Sequence, residues 1–120
     1  MLCRDLFVKI IFLLFVLPLS VIAEQLRVGV SLPLTGPVAK VGVAVKNSIL
    51  LADRDRDKKN QVTFIFEDDA YTPKNTVTAI RNFISTKNVD AFVVFGSGPS
   101  LAVGDIAEQE KIPMVSISTA

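Results

Sequence analysis

Four short apolar runs alternate with segments of helical periodicity, and this alternation constrains the fold more than any other feature of the chain. Leu26-Arg27-Val28-Gly29-Val30-Ser31, Val62-Thr63-Phe64-Ile65-Phe66, Ala91-Phe92-Val93-Val94-Phe95 and Met114-Val115-Ser116-Ile117 are short and rich in β-branched and aromatic residues, the pattern of strands covered by other elements. Between them, apolar residues recur at helical spacing. Val41, Val45, Ile49 and Ala52, with Ala44 and Leu51 beside them, predict a helix from Ala39 to about Arg56. Pro73 suits the first turn of a second helix, whose stripe is Val77, Ile80 and Ile84 with Phe83, closed by Asn88 and Asp90. The third helix is expected to be capped by Ser100, to bury Leu101, Val103 or Gly104, Ile106 and Ala107, and to expose Glu108, Gln109 and Glu110. The order β-α-β-α-β-α-β with short loops predicts an α/β fold, a Rossmann-like parallel sheet with flanking helices and right-handed crossovers.

In such a sheet, function concentrates where strands end and helices begin. The stretch Ala91 to Glu110 is the sharpest instance: a strand, then Gly96-Ser97-Gly98-Pro99, then a helix. A hydroxyl and backbone N–H groups at a helix N-terminus can bind a carboxylate without a buried counter-cation. Ser97 and Gly98 are therefore candidate binding residues, set against the plainer reading that they cap and turn. Ser118 and Thr119 follow the fourth strand in a similar place, where an ordinary loop is the competing reading. Thr35 and Gly36 read as turn residues.

Other chemistry is thinly represented. The chain has 120 residues, no histidine and one cysteine, Cys3, so neither a metal site nor a Ser-His or Cys-His nucleophile is expected. Glu67-Asp68-Asp69 stand at consecutive positions of a strand end, so their side chains alternate in face, and loop structure and capping are favoured over a metal or an acid–base pair. Gly96-Ser97-Gly98 lacks the third glycine of a dinucleotide fingerprint, with Leu101 in its place, and follows the third strand instead of the first. No catalytic residue and no cofactor is assigned. Asp53-Arg54-Asp55-Arg56-Asp57-Lys58-Lys59 alternates in sign and reads as a solvated helix end.

Residues 1–23 read as a signal peptide. Arg4 and Lys9 precede an apolar core, Ile10 to Leu17, and Pro18 and Ser20-Val21-Ile22-Ala23 lead to a cleavage site before Glu24. The run is shorter than the ~20 residues of a spanning helix. Without this segment, and so without Arg4, Lys9 and Asp5, eleven basic and eleven acidic residues remain, and nothing suggests a nucleic-acid partner. The fourth strand ends at the last residue with no helix to cover it, which predicts that residues 24–120 are part of a larger domain and marginal in isolation.

Taken in order, several segments resemble one family. Val28-Gly29-Val30-Ser31-Leu32-Pro33-Leu34-Thr35-Gly36-Pro37 with Gly42, then Glu67-Asp68-Asp69-Ala70-Tyr71-Thr72-Pro73, then Gly96 to Ser100, then Ile112-Pro113-Met114-Val115-Ser116 are similar to the opening of branched-chain amino acid-type (leucine-binding-like, type I) periplasmic binding proteins. The resemblance implies the first part of lobe 1 of a two-lobed fold, residues 24–120 here. Such a protein closes on an amino acid or similar small carboxylate and delivers it to the membrane permease of an ABC importer. It implies no enzymatic activity and a periplasmic location. It places Ser97 on the ligand, Ser118 and Ala120 at the zwitterion, and Val41 against the ligand side chain. Ala120 stands where a threonine is usual, with Thr119 beside it, and Val41 offers no ring. The family's first-lobe disulfide would join the positions of Tyr71 and Gly96, and neither is a cysteine here. Two alternatives are a ligand-sensing receptor ectodomain of the same fold and a flavodoxin-like or nucleotide-dependent enzyme.

Overall fold

A computed structural model describes residues 25–56 and 61–117. The predicted signal peptide, the residues Asp57–Asn60 and the candidate positions Ser118, Thr119 and Ala120 lie outside the described residues. Strands β1 (Leu26–Leu32), β2 (Val62–Asp68), β3 (Ala91–Phe95) and β4 (Met114–Ile117) alternate with helices α1 (Ala39–Asp55), α2 (Pro73–Asn82) and α3 (Ser97–Gln109). A π-helical turn, Phe83–Lys87, extends α2 and ends at Asn88, whose φ of 46° turns the chain toward β3.

The strands form one parallel sheet in the order β2-β1-β3-β4. Successive connections therefore run in opposite directions: α1 leads from β1 out to β2, and α2 returns from β2 past β1 to β3. The strand order reverses between β1 and β3, and their diverging loops open a crevice at the carboxyl edge of the sheet. In register, Ser31 and Leu32 of β1 pair with Glu67 and Asp68, and Ser31 also pairs with Val94 of β3. The ends of these three strands thus stand side by side.

Two apolar layers fix the sheet. On one face Val28, Val30 and Leu32 pack with Phe64, Phe66 and Val93 beneath Val45 and Ile49 of α1. On the other, Phe92 and Val94 lie under Ile80, Phe83, Val103 and Ala107 from α2, its extension and α3. Phe83 and Phe92 stack with ring centroids 6.3 Å apart. Burial of each such ring contributes about 1.5–3 kcal/mol, so this face carries much of the stability.

Several expectations need correction. Val41, Ala44, Leu51 and Ala52 are exposed on α1, and the half-buried stripe is Val45, Ile49, Asp53 and Arg56, with Gly42 fully buried. A Cβ at Gly42 would stand 2.1 Å from the Pro33 carbonyl oxygen, so the helix is seated by glycine against the β1 loop and turns Val41 outward. β3 is not covered equally on both faces. Phe92 and Val94 are fully buried, whereas Ala91, Val93 and Phe95 are half-buried. The cause is topological: α1 leads toward β2 and leaves a groove over Val93, Val115 and Ile117.

Helix α3 starts at Ser97, with Gly96 as N-cap, so Ser100 does not cap it; the Ser100 hydroxyl instead meets that of Ser116 at 2.6 Å. Leu101 is 82% exposed, not buried, and lines an open surface groove with Met114 and Ser116. The alternating run Asp53-Arg54-Asp55-Arg56 forms surface ion pairs, Arg56 to Asp53 at 2.8 Å and Arg54 to Asp55 at 3.3 Å, as a solvated helix end should.

Candidate functional site

The crevice is built from three strand ends and the loops that leave them. Its β1 wall is Pro33 to Gly36. Pro33 is buried, Leu34 is half-buried, and Thr35 and Gly36 are exposed, with Gly36 at φ +84° where glycine is the natural occupant. Val41 lies in the first turn of α1, at the same edge of the sheet, and is 48% exposed.

The β3 wall is a single turn. The strand passes from Phe95 through Gly96, at φ +96°, directly into the first turn of α3. Ser97 is half-buried and Gly98 exposed. The positive end of the α3 dipole therefore lies at Ser97 and Gly98. Pro99 is buried in this turn, and the Ser100 N–H donates to the Gly96 carbonyl at 3.0 Å. The sheet continues into β4, whose Ile117 carbonyl accepts the Gly96 N–H at 2.8 Å. This bond brings the end of β4 alongside Gly96. Three of the six candidate residues, Ser97, Gly98 and Val41, thus share the carboxyl edge of the sheet.

What sequence reasoning missed is how firmly the acidic doublet ties these walls together. β2 continues through the expected boundary to Asp68, and the carboxylates of Glu67, Asp68 and the following Asp69 go to separate partners. Glu67 accepts from Asn82 Nδ2 at 2.8 Å. Asp68 accepts from the N–H groups of Leu34, Thr35 and Ala70 at 2.8, 3.1 and 2.9 Å and from the Thr35 hydroxyl at 2.6 Å. Asp69 is fully buried and accepts from the hydroxyls of Ser31 at 2.7 Å and Thr76 at 3.3 Å and from the Tyr71 N–H at 2.9 Å. This is the loop-forming role expected of the cluster, and among the described residues no group of three or more His, Cys, Asp or Glu could hold a metal ion.

Burial pushes the Asp68 carboxyl up, but the Thr35 hydroxyl and the amides of Ala70, Leu34 and Thr35 outweigh it and hold the group below its ordinary value of 3.8. Ala70 and Tyr71 both have positive φ, 49° and 60°. The chain thereby turns back so that the Tyr71 ring lies over Gly96 and tilts against Phe95, with ring centroids 6.1 Å apart. The only advance signal was the doublet's position one strand over from the Pro33–Gly36 loop.

Chemically, such an edge can hold a small anion by hydroxyl and amide groups at Ser97 and Gly98. It presents no general base within that cluster, and among the described residues no helix is long and apolar enough to cross a membrane.

A family model described as periplasmic binding protein matches residues 25–120. The chain is 28% identical over 100 residues to a Leu/Ile/Val-binding protein homolog of Brucella abortus (strain 2308), covering 79% of this chain and 27% of that protein. It superimposes on a leucine binding protein from Thermotoga maritima MSB8 with a TM-score of 0.73 at 28% identity, covering 79% of this chain and 28% of that one. A solute binding protein of an ABC transporter from Rhodopseudomonas palustris BisB5, solved with 3,4-dihydroxybenzoic acid, gives a TM-score of 0.72 at 26% identity, with 78% of this chain and 27% of that one covered. The chain thus spans a little over a quarter of the length of these relatives.

Proposed function

Because this chain belongs to the periplasmic binding protein family, we propose that it is the first part of lobe 1 of an exported solute-binding protein. It would serve an ABC importer and bind an amino acid or similar small carboxylate in a cleft between two lobes. Residues 1–23 serve as its signal peptide and residues 24–120 as the opening of the lobe, and the periplasm is its place of action. One observation carries this reading: Ser97 and Gly98 form the N-terminal turn of α3 at the point where strand order reverses, opposite the Pro33–Gly36 loop.

The ligand class follows from the chemistry of that edge. A helix N-terminus with a hydroxyl favours an anion small enough to sit against backbone, and a carboxylate meets that need. The solute names attached to the relatives, leucine-type amino acids in one case and a dihydroxybenzoic acid in another, share a carboxylate and differ in the rest. Ser97 and Gly98 are assigned to the carboxylate. Ser118, Thr119 and Ala120 are assigned to the polar end of the ligand, and Val41 to its side chain. A family of binding proteins leaves no role for the nucleotide-dependent enzyme alternative.

Thermal-shift measurements on the full-length protein with a panel of amino acids and aromatic acids test the proposal. Stabilisation by at least one carboxylate, and none by the corresponding amine lacking it, is expected. A panel without any stabilising member would reject small-carboxylate binding.

A further inference from the structure

The β1 loop is gathered onto one carboxylate. Asp68 Oδ1 accepts the N–H groups of Leu34, Thr35 and Ala70, and Oδ2 accepts the Thr35 hydroxyl. Leu34 and Thr35 belong to one wall of the crevice, whereas Ala70 begins the turn that leads to the other. That turn is held in a conformation L-residues avoid, with positive φ at both Ala70 and Tyr71. It ends with the Tyr71 ring against Gly96, the residue before Ser97. A single side chain at the end of β2 therefore joins both walls, although no motif reading assigned it a role at the site.

Resting on the cleft reading above, we propose that Asp68 is a positioning residue of the ligand site: it pins the Leu34–Thr35 wall to the turn whose Tyr71 ring seats Gly96 and Ser97. The spacing between the walls is then set by a carboxylate that does not itself contact the solute. Arg81 of α2 and Glu67 line the same surface groove as Asp68, Glu67 is engaged by Asn82, and the adjacent Asp69 is engaged by Ser31, Thr76 and Tyr71. The ionised form of Asp68 is the one that accepts all four hydrogen bonds, so protonation loosens the wall.

The test compares wild type, Asp68→Ala and Asp68→Asn in the full-length protein by residue-resolved hydrogen exchange and by calorimetric titration. The probes are L-leucine, L-valine and 3,4-dihydroxybenzoate. Asp68→Ala is expected to speed exchange at Leu34 and Thr35 roughly tenfold beyond any change in global unfolding, and to weaken the best probe roughly tenfold. Asn keeps the Oδ1 acceptor but, like the protonated acid, lacks the charge and the Oδ2 acceptor, so Asp68→Asn should recover only part of both at neutral pH. Acidification through the Asp68 titration should speed exchange at the same amides in wild type toward the Asp68→Asn rates, and Asp68→Asn itself should show no such step. Unchanged exchange in Asp68→Ala overturns the proposal, and so does faster exchange with unchanged affinity. If wild type binds none of the probes the functional reading fails, and the exchange comparison alone decides whether Asp68 holds the loop.

Discussion

The ring of Tyr71 fills the space that any side chain at Gly96 would need. A Cβ at position 96 would stand 2.5 Å from Tyr71 Cε2 and 3.2 Å from its hydroxyl oxygen, and Gly96 has a φ of +96° besides. At the two positions where the resemblance implies a cystine in leucine-binding-like proteins, this chain joins the β2 and β3 loops by an aromatic ring laid on a glycine.

Gly96→Ala therefore meets two obstacles, the clash and the positive φ. Together they should cost about 2–4 kcal/mol, read as a lower urea midpoint for the full-length protein. Adding Tyr71→Ala removes the clash and leaves the backbone strain, so the double variant should recover part of the loss. Equal midpoints for wild type and Gly96→Ala would refute this contact.

A comparable test applies at Gly42. Its absent side chain lets α1 approach the Pro33 carbonyl, and a Cβ there would come within 2.1 Å of that oxygen. Backbone cannot swing aside as a long side chain can, so Gly42→Ala should destabilise by about 2 kcal/mol or more and displace the β1 loop. Chemical denaturation measures the first effect, and altered amide shifts at Leu34 and Thr35 report the second.

Asp69 is buried with three hydrogen-bond donors around it. Asp69→Ala leaves Ser31, Thr76 and the Tyr71 N–H without their acceptor, at a cost of about 2–4 kcal/mol. Denaturation should show a lower midpoint with an unchanged slope. An unchanged midpoint would mean that water or relaxation replaces the carboxylate.

Asp68 gives stability a sign in pH. Its folded-state value lies below the ordinary 3.8 of the unfolded chain, so its contribution is complete well above 3.8 and is lost as pH falls through the lower folded value. Asp68→Asn, which lacks that charge at every pH, should flatten the acid limb by lowering stability near neutral pH toward the acid value. A steep limb of wild-type slope in the variant would assign the acid sensitivity to other carboxylates.

The sequence was a good guide to elements and a poorer one to faces. β3 and β4 begin and end where their apolar runs do, α2 opens at Pro73, and Asn88 closes its extension. These signals are local: β-branched and aromatic runs, a proline suited to a first turn, and an asparagine tolerant of positive φ. Which way a helix faces is not local. Val41 and Leu51 fitted a helical stripe, yet Gly42 against Pro33 sets the rotation of α1 and turns both outward.

Ser100 looked like a cap because two glycines and a proline preceded it. A glycine at φ +96° can serve as N-cap directly, so the helix begins four residues sooner. The site was legible in part for the same reason. Ser97 and Gly98 stand next to their own signal, whereas the hydrogen bonds of Asp68 and Asp69 to Thr35 and Ser31 span more than thirty positions. They become visible only when β1 and β2 are laid side by side.

The most direct measurement is a calorimetric titration of the full-length protein, wild type and Ser97→Ala, with the carboxylate that stabilises wild type most. If the α3 N-terminal turn holds the ligand carboxylate, Ser97→Ala should weaken binding by about 1–3 kcal/mol with little change in thermal stability. Identical affinities in the two proteins would contradict a carboxylate site at Ser97.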